Sequence, residues 1–143
     1  LREGSGGAGQ MRGGFGLDYE LELRRGDAKA SFVMDHGRFG PQGVLGGADG
    51  APNEVTVWRG GTAYVPEHLS KEQDIPLAPG DRVRVKTPGG GGYGDPLTRD
   101  PALVARDVAL GRYTTEQAES LFGVVLSPDG EVDTAATTSR RGA

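Results

Sequence analysis

The chain has 143 residues, one domain's worth, with room for one modest core. Its 26 glycines far exceed the roughly 7% of ordinary proteins and, with 9 prolines, approach a disordered composition, but they fall in blocks between segments of clean periodicity. The formal net charge of −4 with mixed signs leaves no nucleic-acid footprint, and the absence of cysteine rules out disulfides and thiolate metal sites. No apolar run approaches the ~18 residues needed to span a bilayer and nothing reads as a signal peptide, so the expectation is a cytoplasmic chain. It opens at Leu1 inside a glycine motif, which suggests a piece of something larger or a processed start.

Two glycine clusters occupy residues 4–16. Residues 17–24 then alternate apolar and charged, which predicts a half-buried strand with Leu17, Tyr19, Leu21 and Leu23 inward. Gly26-Asp27 suits a two-residue turn, and a return strand over 28–34 with Ala30, Phe32 and Met34 on one face would complete a hairpin. Residues 35–54 read as glycine-punctuated loop, 54–59 as a short strand, and the stretch through Pro66 and His68 as a polar connector. Pro79-Gly80 fits the centre of a type II turn leading into a strand with Val83 and Val85 inward.

A run of four glycines, 89–92, follows, and then the period changes. Asp100-Pro101 reads as N-cap and first residue of a helix with an apolar stripe of Leu103, Val104 and Val108, stopped by Gly111. Thr114 and Gln117 form a capping-box pattern for a second helix that buries Ala118, Leu121 and Phe122 and ends at Gly123. The expected class is α+β: a glycine-rich antiparallel β region with long loops (1–96), a helical hairpin (100–123), and a polar, flexible tail (127–143) with a turn at Pro128-Asp129-Gly130.

Residues that could carry chemistry are few. Gly4-x-Gly6-x-x-Gly9 and Gly89-x-Gly91-x-x-Gly94 both spell the dinucleotide fingerprint, but neither opens a helix after a strand, and a Walker A sequence is absent. The run Gly89, Gly90, Gly91 and Gly92 offers bare N–H groups to an anion, or else lets backbone cross close to backbone. Arg12, Arg38 and Arg59 sit beside glycines, which suits an anionic group or a solvated loop. Ser5 lacks a histidine base nearby in sequence. His36 and His68 lie far apart without acidic spacing, so no metal site is expected. Asp95 and Asp100 read as caps, and Trp58 and Phe39 as core or interface residues.

Taken in order, "GSGGAGQMRGGFG" (4–16), "GRFGPQGVLGGADGAPN" (37–53) and "LAPGDRVRVKTPGGGGYGDPLTRDPALVARDVALGRYTTEQAESLFGVVL" (77–126) resemble the C-terminal part of the B subunit of the hydantoinase/oxoprolinase group. The resemblance implies a partner A subunit of ATPase type, separate or fused, that phosphorylates the carbonyl oxygen of a cyclic amide, and an N-terminal part of the B subunit. It also implies ATP with magnesium and a divalent metal held elsewhere in a hetero-oligomer, with no cofactor on this segment; acetone and acetophenone carboxylases belong to the same group. The chain is shorter than a B subunit, as a split subunit, a small subunit or a cut product would be, and no metal ligand or catalytic residue carries over to it. Gly89, Gly90, Gly91, Gly92, Arg12 and Ser5 remain candidate contacts to substrate or phosphate. A chain so rich in glycine is expected to be marginal without its neighbours.

Overall fold

The computed structural model describes residues 1–142 and is α+β. Six strands come first: β1 (Asp18–Glu22), β2 (Ala28–Val33), β3 (Glu54–Arg59), β4 (Thr62–Tyr64), β5 (Lys71–Leu77) and β6 (Arg82–Lys86). Three helices follow: α1 (Pro101–Ala109), α2 (Thr115–Phe122) and α3 (Thr134–Arg141). No helix among the described residues is long and apolar enough to cross a membrane.

The expected strands over 17–24 and 28–34 form, but they do not pair as a hairpin. β1 pairs with β6 in a four-stranded antiparallel sheet ordered β1-β6-β3-β4, whereas β2 pairs with β5 in a second sheet. Gly26, at φ +74°, turns the chain from one sheet to the other. Alternation fixes which side chains share a face, and it carries no information about which strand lies alongside.

The polar connector is also corrected, because it holds β4 and β5. β5 alternates around one deeply buried residue, Ile75, and its Pro76 is tolerated because the strand lies at a sheet edge. The two sheets enclose Val55, Val57, Ile75, Val83 and Val85, with Ala30, Phe32 and Met34 packed against them as their spacing predicts. The second sheet is only two strands wide. Leu17, Tyr19 and Leu21, expected inward, lie on the apolar face of β1 but stay 52%, 42% and 64% exposed.

A second apolar cluster joins Ala8 of the glycine region to Val104, Tyr113, Ala118, Phe122 and Val124 of the helical region. The helix ends follow the predicted caps. The Asp100 carboxylate accepts the Ala102 N–H at 2.9 Å, Thr114 and Gln117 close a capping box, and Gly123 takes the left-handed conformation at φ +63°. Of the expected stripes, Val104, Ala118 and Phe122 are fully buried, while Leu103 and Leu121 are partly exposed.

The expected tail contains helix α3, capped by Asp133 and fastened down by its far end. Arg141 Nε donates to the Phe122 carbonyl at 3.0 Å and Nη2 to the Arg99 carbonyl at 2.8 Å. A polar sequence conceals this helix because hydrogen bonds and one buried threonine, Thr137, attach it in place of an apolar stripe. Residue 143 of the expected tail lies outside the described residues.

Candidate functional site: a glycine layer locked by arginines

Three glycine-rich stretches of backbone, 5–14, 42–51 and 89–94, lie against one another. Gly90 donates its N–H to the Gly14 carbonyl at 2.9 Å and accepts from the Gly7 N–H at 2.8 Å. Gly92 donates to Ala48 and accepts from Val44, both at 2.8 Å, and Gly89 donates to Ala51 at 3.2 Å. The outer stretches also join each other directly, through Ala48 N–H to the Ala8 carbonyl at 2.7 Å and Ala51 N–H to the Ser5 carbonyl at 2.8 Å.

The spacing between these chains leaves no room for side chains. A Cβ on Gly89, Gly91 or Gly92 would fall closer than 3.0 Å to the carbonyl oxygens of Ser5, Gln42 and Ala8 respectively. This is the steric logic by which glycine alone fits a crowded three-chain axis. Gly90 is the looser member: its Cβ would meet the Gly14 nitrogen at 3.2 Å. Three of the four N–H groups in the run are therefore spent inside the layer. Among the described residues, the Gly91 N–H makes no backbone bond.

Ser5 is almost completely buried. Its Oγ donates to the Arg2 carbonyl at 2.7 Å and accepts the Gly16 N–H at 2.9 Å, so the hydroxyl closes the first glycine loop on itself. Arg12 leaves its loop for the helical region. Nε and Nη2 donate to Asp107 Oδ2 and Oδ1 at 2.7 Å and 3.1 Å, and the guanidinium stacks 4.4 Å from the centre of the Phe15 ring. The solvated-loop alternative for Arg12 is thus corrected, since its side chain is 18% exposed and ion-paired.

Asp107 on α1, 3% exposed, gathers two further arginines, Arg99 through Nη2 and Arg112 through Nη1, each at 3.0 Å. Burial alone would raise the Asp107 carboxyl. The hydrogen bonds from Arg12 and Arg112 and the charges of Arg12 and Arg99 outweigh it and hold the pKa below the ordinary carboxylate value. Three guanidinium groups around one carboxylate leave an excess of positive charge at the seam between glycine layer and helices. Tyr113 packs edge-on against Phe15 and Phe122 and donates from its hydroxyl to the Gly6 carbonyl at 3.0 Å. Periodicity placed Asp107 on a helix without marking it, since its partners lie 95, 8 and 5 residues away.

The two histidines, distant in sequence, line one cleft of about 300 Å³ together with Arg38, Glu67 and Lys71. His36 holds a left-handed φ of +61°, and its Nδ1 lies 3.2 Å from the Phe39 carbonyl. Among the described residues no group of three or more histidine, aspartate or glutamate side chains gathers closely enough to hold a metal ion. Asp95 caps a 3-10 turn at Pro96–Thr98. Trp58 lies 5.0 Å beneath the Arg82 guanidinium, Phe39 is exposed, and Arg59 is exposed at the end of β3.

With this geometry in view, the likeness to known proteins is specific. The model of the hydantoinase B/oxoprolinase family matches residues 1–96, and the chain belongs to that family. Caprolactamase subunit beta of Pseudomonas jessenii is 39% identical over 150 residues, covering 100% of this chain and 25% of the relative. The crystal structure of ATP-dependent caprolactamase from Pseudomonas jessenii superposes with a TM-score of 0.79 at 33% identity, again over 100% of this chain and 25% of that one. A nucleotide-free acetone carboxylase structure shares the fold, with a TM-score of 0.73 at 23% identity over 99% of this chain and 23% of the other. The chain thus spans about a quarter of the caprolactamase subunit it matches.

Proposed function

We propose that this chain is the C-terminal portion of the B subunit of an ATP-dependent hydrolase of cyclic amides, acting with an ATPase-type A subunit and the N-terminal part of the B subunit. The observation that carries the reading is 39% identity to a caprolactamase subunit along the whole chain. An amide is a poor electrophile. A phosphate ester on its carbonyl oxygen supplies a leaving group that water displaces, and forming that ester is the task of the partner ATPase. ATP, magnesium and the divalent metal belong, in this reading, to the other polypeptide segments.

The part assigned to residues 1–142 is architectural. The glycine layer and the Asp107 cluster together make a stiff junction on which the larger catalyst closes. A contact role for the layer is the second reading, in which the Gly91 N–H and its neighbours border the passage for the phosphorylated intermediate. Gly90→Ala in the assembled enzyme separates the two, because Gly90 is where an added methyl nearly fits. Intact assembly with loss of substrate-dependent ADP release favours contact, and failed assembly favours scaffold.

The test of function is phosphate release by the assembled enzyme with caprolactam, 5-oxoproline or hydantoins. Release that depends on one of these cyclic amides supports the reading. Release that instead requires acetone and bicarbonate favours a ketone carboxylase, the alternative raised by the shared fold of acetone carboxylase.

A further inference from the structure

β1 stands at the end of its sheet, with β6 on one side only. Its register with β6 places Leu17 opposite Thr87 and Leu23 opposite Asp81. These are hydrogen-bonded pairs, shown by Thr87 N–H to the Leu17 carbonyl at 2.8 Å and Leu23 N–H to the Asp81 carbonyl at 2.9 Å. In an antiparallel ladder such pairs alternate, so Tyr19 and Leu21 also face β6 with their peptide groups. The N–H and C=O groups of Asp18, Glu20 and Glu22 therefore point away from the sheet along an open edge.

The side chains on this strand are unfinished in the same direction. Leu17, Tyr19 and Leu21 lie on the face that buries Val83 and Val85 one strand further in, yet the covering sheet stops short of them. A groove of about 220 Å³ opens there between Leu21 and Leu23 on one side and Phe32 and Leu77 on the other. On the opposite face, Asp18, Glu20 and Glu22 form the outermost row, followed inward by the basic row Arg82, Arg84 and Lys86. An open edge with an apolar face is a template for one more strand.

We propose that β1 receives a further strand from the polypeptide that corresponds to the three quarters of the caprolactamase chain this chain does not span. The proposal rests on the reading that the chain works as part of a larger subunit. The incoming strand alternates apolar residues, which cover Tyr19 and Leu21, with lysine or arginine, which stand beside the acidic row. Charge selects against a second copy in this place, since two β1 strands paired antiparallel about Glu20 would set Asp18 against Glu22.

Amide exchange in the assembled enzyme reads the edge directly. The Asp18, Glu20 and Glu22 amides should exchange about as slowly as those of Tyr19 and Leu21, whereas an open edge would leave them at least about 100-fold faster. Fast exchange at these three amides in the assembly overturns the proposal. Protection of these amides that rises with the concentration of the assembled enzyme assigns the edge to a second copy and overturns it too. Glu20→Pro removes an outward N–H while leaving the ladder to β6 intact, as edge strands allow. It should weaken association with the remaining polypeptide at least about tenfold against a Glu20→Ala control, and equal association by both variants overturns the proposal. If Glu20→Pro fails to fold, the exchange measurement still decides. An assembly with a protected edge but no response to any cyclic amide would remove the functional reading and leave this one standing.

Discussion

Asp107 binds Arg12 through both carboxylate oxygens, at 2.7 Å and 3.1 Å, across 95 residues of sequence. That contact ties the first glycine loop to α1, and Arg99 and Arg112 complete it from the helical side. Removing the carboxylate leaves three guanidinium groups facing one another in a largely buried seam. Asp107→Ala should destabilise the protein by about 3–5 kcal/mol, the cost of breaking a buried ion pair from one side. Arg12→Ala, which leaves the other two arginines on the carboxylate, should cost less. Urea unfolding of both variants beside the parent checks the order.

The same cluster sets an acid limit. The Asp107 pKa is depressed in the folded protein, so its contribution is fully present above the ordinary carboxylate value of 3.8 and is lost as pH falls through the lower folded value. Asp107→Asn should therefore be less stable than the parent at neutral pH, with the difference shrinking below pH 3.8. Melting temperatures taken between pH 7 and pH 2 give the comparison, and parallel profiles would contradict it.

The glycine layer predicts a graded alanine series. Gly89→Ala, Gly91→Ala and Gly92→Ala each place a methyl group into a carbonyl oxygen and should prevent cooperative folding. Gly90→Ala should be mild by comparison. Gly14, with open space around its missing side chain and no positive φ, should accept alanine neutrally or with a gain of about 0.4–1 kcal/mol. Thermal melts of the five variants test the ranking.

Ser5→Ala deletes a hydroxyl that both donates and accepts, leaving the buried Gly16 N–H without its partner. A loss of about 1–3 kcal/mol is expected. Substrate-dependent phosphate release by the folded, assembled variant should persist, which steady-state assays normalised to folded enzyme will show.

Helix α3 is expected to contribute to stability through its last turn. Arg141→Ala removes hydrogen bonds to the carbonyls of Phe122 and Arg99, at about 1.5–3 kcal/mol for bonds from a charged donor. Arg140→Ala, whose side chain is 57% exposed, serves as the control and should change the melting temperature little.

Local chemistry was legible in the residues themselves. Asp100, Thr114 with Gln117, Gly123 and Pro79-Gly80 each act within a few positions of chain, so caps and turns follow from neighbours alone. The alternation of 17–24 and 82–86 likewise set which side chains share a face, and the ordered glycine blocks carried the family. Partner choice was not legible. β1 and β2 are adjacent in sequence yet belong to different sheets, because the lowest-energy pairing depends on every other strand present. The Arg12–Asp107 pair, the Gly89, Gly90 and Gly92 N–H groups with their carbonyls, and Arg141 with Phe122 likewise join residues separated by 19 to 95 positions. Sequence by itself determined the helix caps, the turns and where the glycines stand; tertiary structure decided which of those positions only glycine can fill, since only the assembled backbone brings a carbonyl to where a side chain would have been.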